Sequence, residues 1–172
     1  LQRQIANFDS LLPEELSFLR NAYNKRLSHH ATGEGTLIID KLPLHTISTP
    51  LIHLLFPTAK IIFAIRHPCD SVLSCFQQTF MPNNAMANFT TLEKSVDFYD
   101  RVMRGWRTYN ENLDIDYMIS KYEDLLDDFD GSITKILNYL DLDWNGNIYN
   151  YRKTAIDRGF INTPSASQVI QP

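Results

Sequence analysis

Residues 60–65, Lys-Ile-Ile-Phe-Ala-Ile, restrict the possible folds more than any other part of this 172-residue chain. The run is almost wholly apolar and contains several β-branched side chains. Such a run is typical of a strand in a parallel sheet whose two faces are both covered. Arg66 and Pro68 follow the apolar run, and we expect a helix from Asp70 to about Phe80.

Strand-like and helix-like segments alternate along the rest of the chain. Residues 36–40 are predicted to form a short buried strand, and residues 115–120 another. The spacing of apolar side chains predicts helices over 13–27, 47–56 and 91–110, one that begins at Tyr122, and one that Ser132 caps and that ends at Leu140. Strands that alternate with helices predict an α/β fold with a mostly parallel sheet.

Composition excludes several classes of protein. The chain has the length of one domain, and 44% of its residues are hydrophobic, which is enough for a core. Sixteen lysines and arginines against twenty aspartates and glutamates give a net charge of -4, whereas proteins that bind duplex nucleic acid usually have a basic excess. No apolar run approaches the roughly 18 residues of a membrane span. We therefore expect neither nucleic acid nor a membrane as a partner.

Cys69 and Cys75 are the two cysteines of the chain. Their spacing fits neither a redox pair nor a zinc site, and on a helix they would lie on different faces, poorly placed for a disulfide. We expect two buried or half-buried thiols, and therefore a reducing, cytoplasmic compartment.

The junction after residues 60–65 predicts an anion site. Arg66 would stand at the carboxyl end of a strand, where ligands of open α/β sheets bind, and the next helix would direct its free N–H groups there. Ser71 or Ser74 would add a hydroxyl group, so that the junction forms a phosphate site without a glycine-rich loop. The alternative is structural: Arg66 pairs with Asp70 or Asp40, and the serines merely face a helix.

Two further strand-to-helix junctions carry candidate side chains. Lys41 follows the predicted strand 36–40 and could neutralise charge on a group being transferred, although a surface lysine is an equally common outcome. Tyr122 follows the predicted strand 115–120 and could stack on a base, or could simply belong to the core. His45 could act as a general base near Lys41, but a packed or solvated histidine is the more common outcome.

These three junctions, in this order, resemble the sulfotransferase superfamily. The matching stretches are IIDKLPLHTISTPLIHLLFPTAKIIFAIRHPCDSVLSCFQQTF, SKYEDLL and TPSASQVIQP, within residues 36–172. The sequence is most similar to bacterial sulfotransferase domains that often follow tetratricopeptide repeats, and to tyrosylprotein sulfotransferases. The resemblance implies a P-loop-like, three-layer α/β fold. It also implies one domain over residues 1–172, in which 1–35 form a helical lead-in and 36–172 the family-like core.

The resemblance also assigns roles to individual residues. Arg66 and Ser74 match the pair that binds the 3′-phosphate of 3′-phosphoadenosine 5′-phosphosulfate (PAPS), the sulfate donor of the family. Tyr122 matches the tyrosine near the adenine. Lys41 matches the lysine that stabilises charge on the transferred sulfate, and Ser165 matches the serine that begins the closing nucleotide loop and helps to stabilise the transition state.

The sequence departs from the family at two places. Gln78 stands where the tyrosylprotein branch has a basic residue, and residues 1–40 contain no phosphate loop of the G-x-x-x-x-G-K-[ST] or Pro-Arg-Ser-Gly-Thr kind. We therefore expect an incomplete, C-terminal portion of the domain. Such a fragment would lack the 5′-phosphosulfate loop and the catalytic base, and would be inactive alone.

The resemblance implies transfer of a sulfuryl group from PAPS to a hydroxyl acceptor, which could be a protein tyrosine, a carbohydrate or a small molecule. The chemistry requires no metal. Adjoining tetratricopeptide repeats are a possible partner. The alternative is a non-catalytic nucleotide-binding or interaction module derived from the same fold.

Overall fold

The computed structural model describes residues 11–28, 37–78, 80–81 and 83–157. Among these residues helices α1 and α2 come first, and strands β1 and β2 are separated by α3 and α4. In these residues the elements are α1 Pro13–Leu27, α2 His45–Leu55, β1 Ile61–Ile65, α3 Pro68–Gln77, a 3₁₀ turn Met86–Phe89, α4 Leu92–Asn112, β2 Tyr117–Lys121, α5 Tyr122–Asp127, α6 Phe129–Leu140, a 3₁₀ turn Gly146–Asn150 and α7 Tyr151–Asp157.

Strands β1 and β2 form a small parallel sheet. At its start the Ile61 N–H donates to the carbonyl of Asp116 over 3.0 Å. Helices α3 and α4 make the crossover, which parallel neighbours require. The α/β class and the strands expected near residues 60–65 and 115–120 are confirmed, whereas the three-layer, P-loop-like arrangement stays a prediction.

The predicted buried strand at 36–40 is wrong for the residues that the structure describes, 37–40. These have no strand conformation, and Ile39 is 78% exposed. A strand persists only when a neighbour accepts and donates its ladder hydrogen bonds, and in the described chain no strand pairs with this segment. β-branched composition alone therefore did not suffice.

Helix α1 begins and ends as predicted, but α2 begins earlier than predicted. The His45 N–H donates to the carbonyl of Leu42 over 3.0 Å, which starts the helix at His45. Pro50, expected near the first turn, consequently lies inside the helix, where it removes one main-chain hydrogen bond.

Helix α6 is capped by a residue other than the one predicted. Asp128 is the N-cap, and its carboxylate accepts a hydrogen bond from the Gly131 N–H over 2.9 Å. The Ser132 hydroxyl instead donates to the carbonyl of Asp124 over 3.0 Å, joining α6 to α5. Asp128 rather than Ser132 caps the helix because it directly precedes the first helical residue.

The chain divides into two compact units, which are Leu1–Ile61 with Asp97–Tyr117 and Ile62–Val96 with Met118–Pro172. In the first unit Trp106, Tyr109 and Ile115 are buried. The Trp106 ring packs edge-on against the Tyr117 ring, with 5.2 Å between centroids. In the second unit Val72 of α3 is buried.

Both cysteines have free thiols, as predicted. Cys75 is half-buried, and burial raises the pKa of its thiol. Cys69 is exposed, which corrects the prediction of burial, because it lies in the solvent-facing first turn of α3. Of the described helices, none is both long and apolar enough to cross a membrane.

Candidate functional site

The ends of β1 and β2 bring Arg66 and Tyr122 together in the second unit. Arg66 follows the last residue of β1, and Tyr122 begins α5 directly after β2. Neighbouring parallel strands end at the same edge of a sheet, so the two side chains meet there. The Arg66 Cζ lies 5.0 Å from the centroid of the Tyr122 ring, which is a cation–π contact.

Glu123 fixes the turn between β1 and α3. Its Oε1 accepts a hydrogen bond from the main-chain N–H of His67 over 2.8 Å. That bond, a further backbone N–H and the nearby positive charge of Arg66 hold the pKa of Glu123 below its usual range. We call Arg66, His67, Asp70, Tyr122 and Glu123 the strand-end cluster.

The ion pair foreseen as the structural alternative for Arg66 is present. Its Nε lies 3.6 Å from Asp70 Oδ2, and the two side chains are 42% and 54% exposed. An exposed pair of this kind contributes about 0–1 kcal/mol to stability. Nε is the nitrogen that the ion pair joins to Asp70, and the charge of Arg66 also acts on the carboxylate of Glu123. A guanidinium carries five N–H donors and this one is 42% exposed, so Arg66 retains donors for an external anion.

Ser74 lies on α3, one turn after Asp70, whereas Arg66 precedes the helix. Residues 70 and 74 are four apart and therefore lie on the same face of α3. Ser74 is half-buried, and no hydrogen bond joins its hydroxyl to another described residue. Gln78 caps the carboxyl end of the same helix.

Lys41 belongs to the first unit. It is exposed and lies between residues 37–40 and the start of α2, and it makes no ion pair with a described residue. The neighbouring Asp40 accepts a hydrogen bond from the Tyr23 hydroxyl over 2.7 Å. His45 is the half-buried first residue of α2. Ser165 lies outside the described residues.

Sequence reasoning missed Glu123 and Tyr23. Glu123 had a signal, since it directly follows Tyr122 and therefore stands at the same strand end. Tyr23 had none, because helical spacing over 13–27 does not indicate a hydrogen bond to Asp40, which is 17 residues away.

Comparison with known proteins identifies the family of the chain. A profile of the sulfotransferase family matches residues 5–146. An uncharacterized protein of Aquifex aeolicus is 26% identical over 142 residues, which cover 79% of this chain and 18% of that protein. A rabbit (Oryctolagus cuniculus) amine sulfotransferase is 33% identical over 97 residues, 49% of this chain and 31% of that protein. The chain thus spans less than a third of either relative, and it belongs to the sulfotransferase family.

Proposed function

We propose that the protein transfers a sulfuryl group from PAPS to a hydroxyl acceptor, and that the strand-end cluster binds the nucleotide. Membership of the sulfotransferase family supports the reaction class. The observation that carries the proposal for the site is the position of Arg66 over Tyr122 at the ends of two parallel strands, with a guanidinium side chain that is 42% exposed.

Three residues present suit the nucleotide. Arg66 offers parallel N–H donors to the 3′-phosphate, and charge-assisted bonds of this kind are the strong ones. Ser74 offers its hydroxyl from α3, on the helix face that carries Asp70. Tyr122 is 44% exposed, so its side chain is accessible to the adenine while Arg66 lies over the ring.

Lys41 and Ser165 act on the transfer itself in this proposal. PAPS supplies the sulfuryl group, and negative charge must be stabilised while that group moves. Lys41 carries an exposed ammonium group that no described residue pairs. The role of Ser165 in the transfer rests only on the resemblance of the surrounding sequence to the closing nucleotide loop of the family. The base that activates the acceptor lies outside this set of residues, and the chemistry needs no metal.

Acceptor and surroundings extend the proposal. The hydroxyl acceptor could be a protein tyrosine, a carbohydrate or a small molecule. The name of the rabbit relative suggests an amine as an alternative acceptor. We place the protein in the cytoplasm, because its two described cysteines are free thiols. We further propose that the protein is related to the tetratricopeptide-linked and tyrosylprotein branches of the family. Tetratricopeptide repeats would then adjoin this domain.

A transfer assay on the whole protein tests the reaction. Radiolabelled PAPS is offered with phenolic, peptide, sugar and amine acceptors, and a label on a hydroxyl acceptor is the expected result. Adenosine 5′-phosphosulfate, which lacks the 3′-phosphate, should be a poorer donor. Nucleotide binding without transfer to any acceptor would contradict the enzyme and favour the non-catalytic module.

A further inference from the structure

Helix α1 is fixed to the end of α2 by two of its side chains. The Arg20 guanidinium donates to the main-chain carbonyls of Leu54, over 3.1 Å, and Leu55. The Tyr23 ring packs against the Phe56 ring, with 5.1 Å between centroids. The last carbonyls of a helix lack partners within it, so Arg20 satisfies groups that would otherwise need water.

Tyr23 also contacts the residue that precedes Lys41. Its hydroxyl donates to Asp40 Oδ2 over 2.7 Å. Burial of the phenol, the hydrogen bond and the charge of Asp40 raise the pKa of Tyr23 to about 12. The hydroxyl therefore keeps its proton at neutral pH and remains a donor.

The backbone beyond Lys41 is held as well. The carbonyl of Leu42 accepts from the His45 N–H over 3.0 Å, and the carbonyl of Leu44 accepts from the Ile47 N–H over 3.1 Å, which opens α2. Lys41 thus lies between a residue tied to α1 and a residue tied to α2. Its own exposed side chain makes no ion pair that would hold it in the described chain.

We propose that Tyr23 is a positioning residue, which holds the backbone of Lys41 through its hydrogen bond to Asp40 and so presents Lys41 to the transfer reaction in one conformation. The inference rests on the role proposed above for Lys41. A small displacement of a reacting group is enough to slow a reaction substantially, because orientation contributes much of the rate enhancement.

Kinetics of the whole protein test the coupling between Tyr23 and Lys41. Tyr23→Phe should lower kcat roughly five- to tenfold and leave the KM for PAPS within about twofold. In a Lys41→Ala background the same change should alter kcat by less than about twofold, because the group that it positions is gone. An equal loss in both backgrounds would overturn the inference.

Tyr149→Phe is the matched control. Its hydroxyl donates to Asp130 Oδ1 over 2.9 Å, so this variant removes the same kind of hydrogen bond from the second unit. We expect unchanged kcat for it. A loss equal to that of Tyr23→Phe would show a general effect of removing such bonds and would count against the inference.

Trypsin gives a readout that does not depend on activity, since it cuts after Lys41. Tyr23→Phe should accelerate cleavage of the Lys41–Leu42 bond roughly fivefold, measured by mass spectrometry, because the segment opens more often without its hydrogen bond. An unchanged cleavage rate would contradict the inference about Tyr23 without affecting the function proposed for Lys41. Full activity of Lys41→Ala by itself instead contradicts the function proposed for Lys41, and with it the catalytic purpose of the Tyr23–Asp40 bond.

Discussion

The strand-end cluster, apart from the half-buried Glu123, and the Lys41 segment, residues 40–42, are exposed, yet the chain holds them by different means. Arg66 and Tyr122 meet because two hydrogen-bonded strands end side by side, and Glu123 adds a bond to the main chain of His67. No strand leads into the Lys41 segment in residues 37–40, the described residues before it. A side chain on α1 holds it through Asp40.

The difference shows how each region responds to a single substitution. The sheet positions the strand-end cluster, so removing one of its side chains should remove a contact to the ligand and leave the others in place. Helix α1 positions the Lys41 segment through the hydrogen bond from Tyr23 to Asp40. Removing that bond should therefore disturb the Lys41 side chain, although Lys41 takes no part in the bond.

Removing the ammonium group of Lys41 should have the largest effect. Lys41→Ala is expected to lower kcat by roughly 10²–10³ while nucleotide affinity stays within a few-fold, because the lost interaction is strongest in the transition state. Transfer kinetics and calorimetry measure the two quantities. Lys135→Ala, an exposed lysine on α6, is the control and should retain activity. An equal loss of nucleotide affinity would make Lys41 an ordinary phosphate ligand.

Removing the guanidinium of Arg66 should act on binding. Arg66→Ala is expected to cost about 2–4 kcal/mol of affinity for adenosine 3′,5′-bisphosphate, because the phosphate loses its charge-assisted partner. Arg104→Ala is the matched control, since Arg104 also forms an exposed pair with an aspartate four residues away, at 2.8 Å. If the affinity fell equally in the two variants, Arg66 would act only through its positive charge and not as a specific ligand of the phosphate.

Removing the ring of Tyr122 should have a smaller effect. Tyr122→Leu is expected to weaken nucleotide binding roughly two- to fivefold, because an exposed cation–π contact with Arg66 and a stacking face are lost. Tyr122→Phe keeps the ring and should bind as the wild type does. Calorimetry distinguishes the two variants, and a loss in Tyr122→Phe would assign the role to the hydroxyl instead.

The smallest effect concerns Glu123 and pH. Because the folded state lowers the pKa of this carboxyl, its contribution to stability is present above the ordinary glutamate pKa of 4.5 and is lost as the pH falls below it. Between pH 7 and pH 3 the unfolding temperature should therefore fall less steeply in Glu123→Gln than in the wild type. Identical slopes would mean that the bond to His67 does not persist in solution.

The sequence predicted the strand-end cluster better than the Lys41 segment, for a physical reason. The apolar run at 61–65 pairs with residues 117–121, and this parallel pairing places Arg66 beside Tyr122. Residues 37–40 have strand-like composition, but composition does not supply the neighbour that a strand needs. The spacing of α1 indicated which face is apolar and carried no information about a hydroxyl bonded 17 residues away.

The central claim is that Arg66 recognises a 3′-phosphate, and titration calorimetry tests it most directly. Adenosine 3′,5′-bisphosphate and adenosine 5′-monophosphate are each titrated into the wild-type protein and into Arg66→Ala. We predict that the wild type prefers the bisphosphate by roughly 100-fold and that Arg66→Ala loses nearly all of that preference. A wild type that binds both nucleotides equally, or an Arg66→Ala variant that keeps the full preference, would contradict the account.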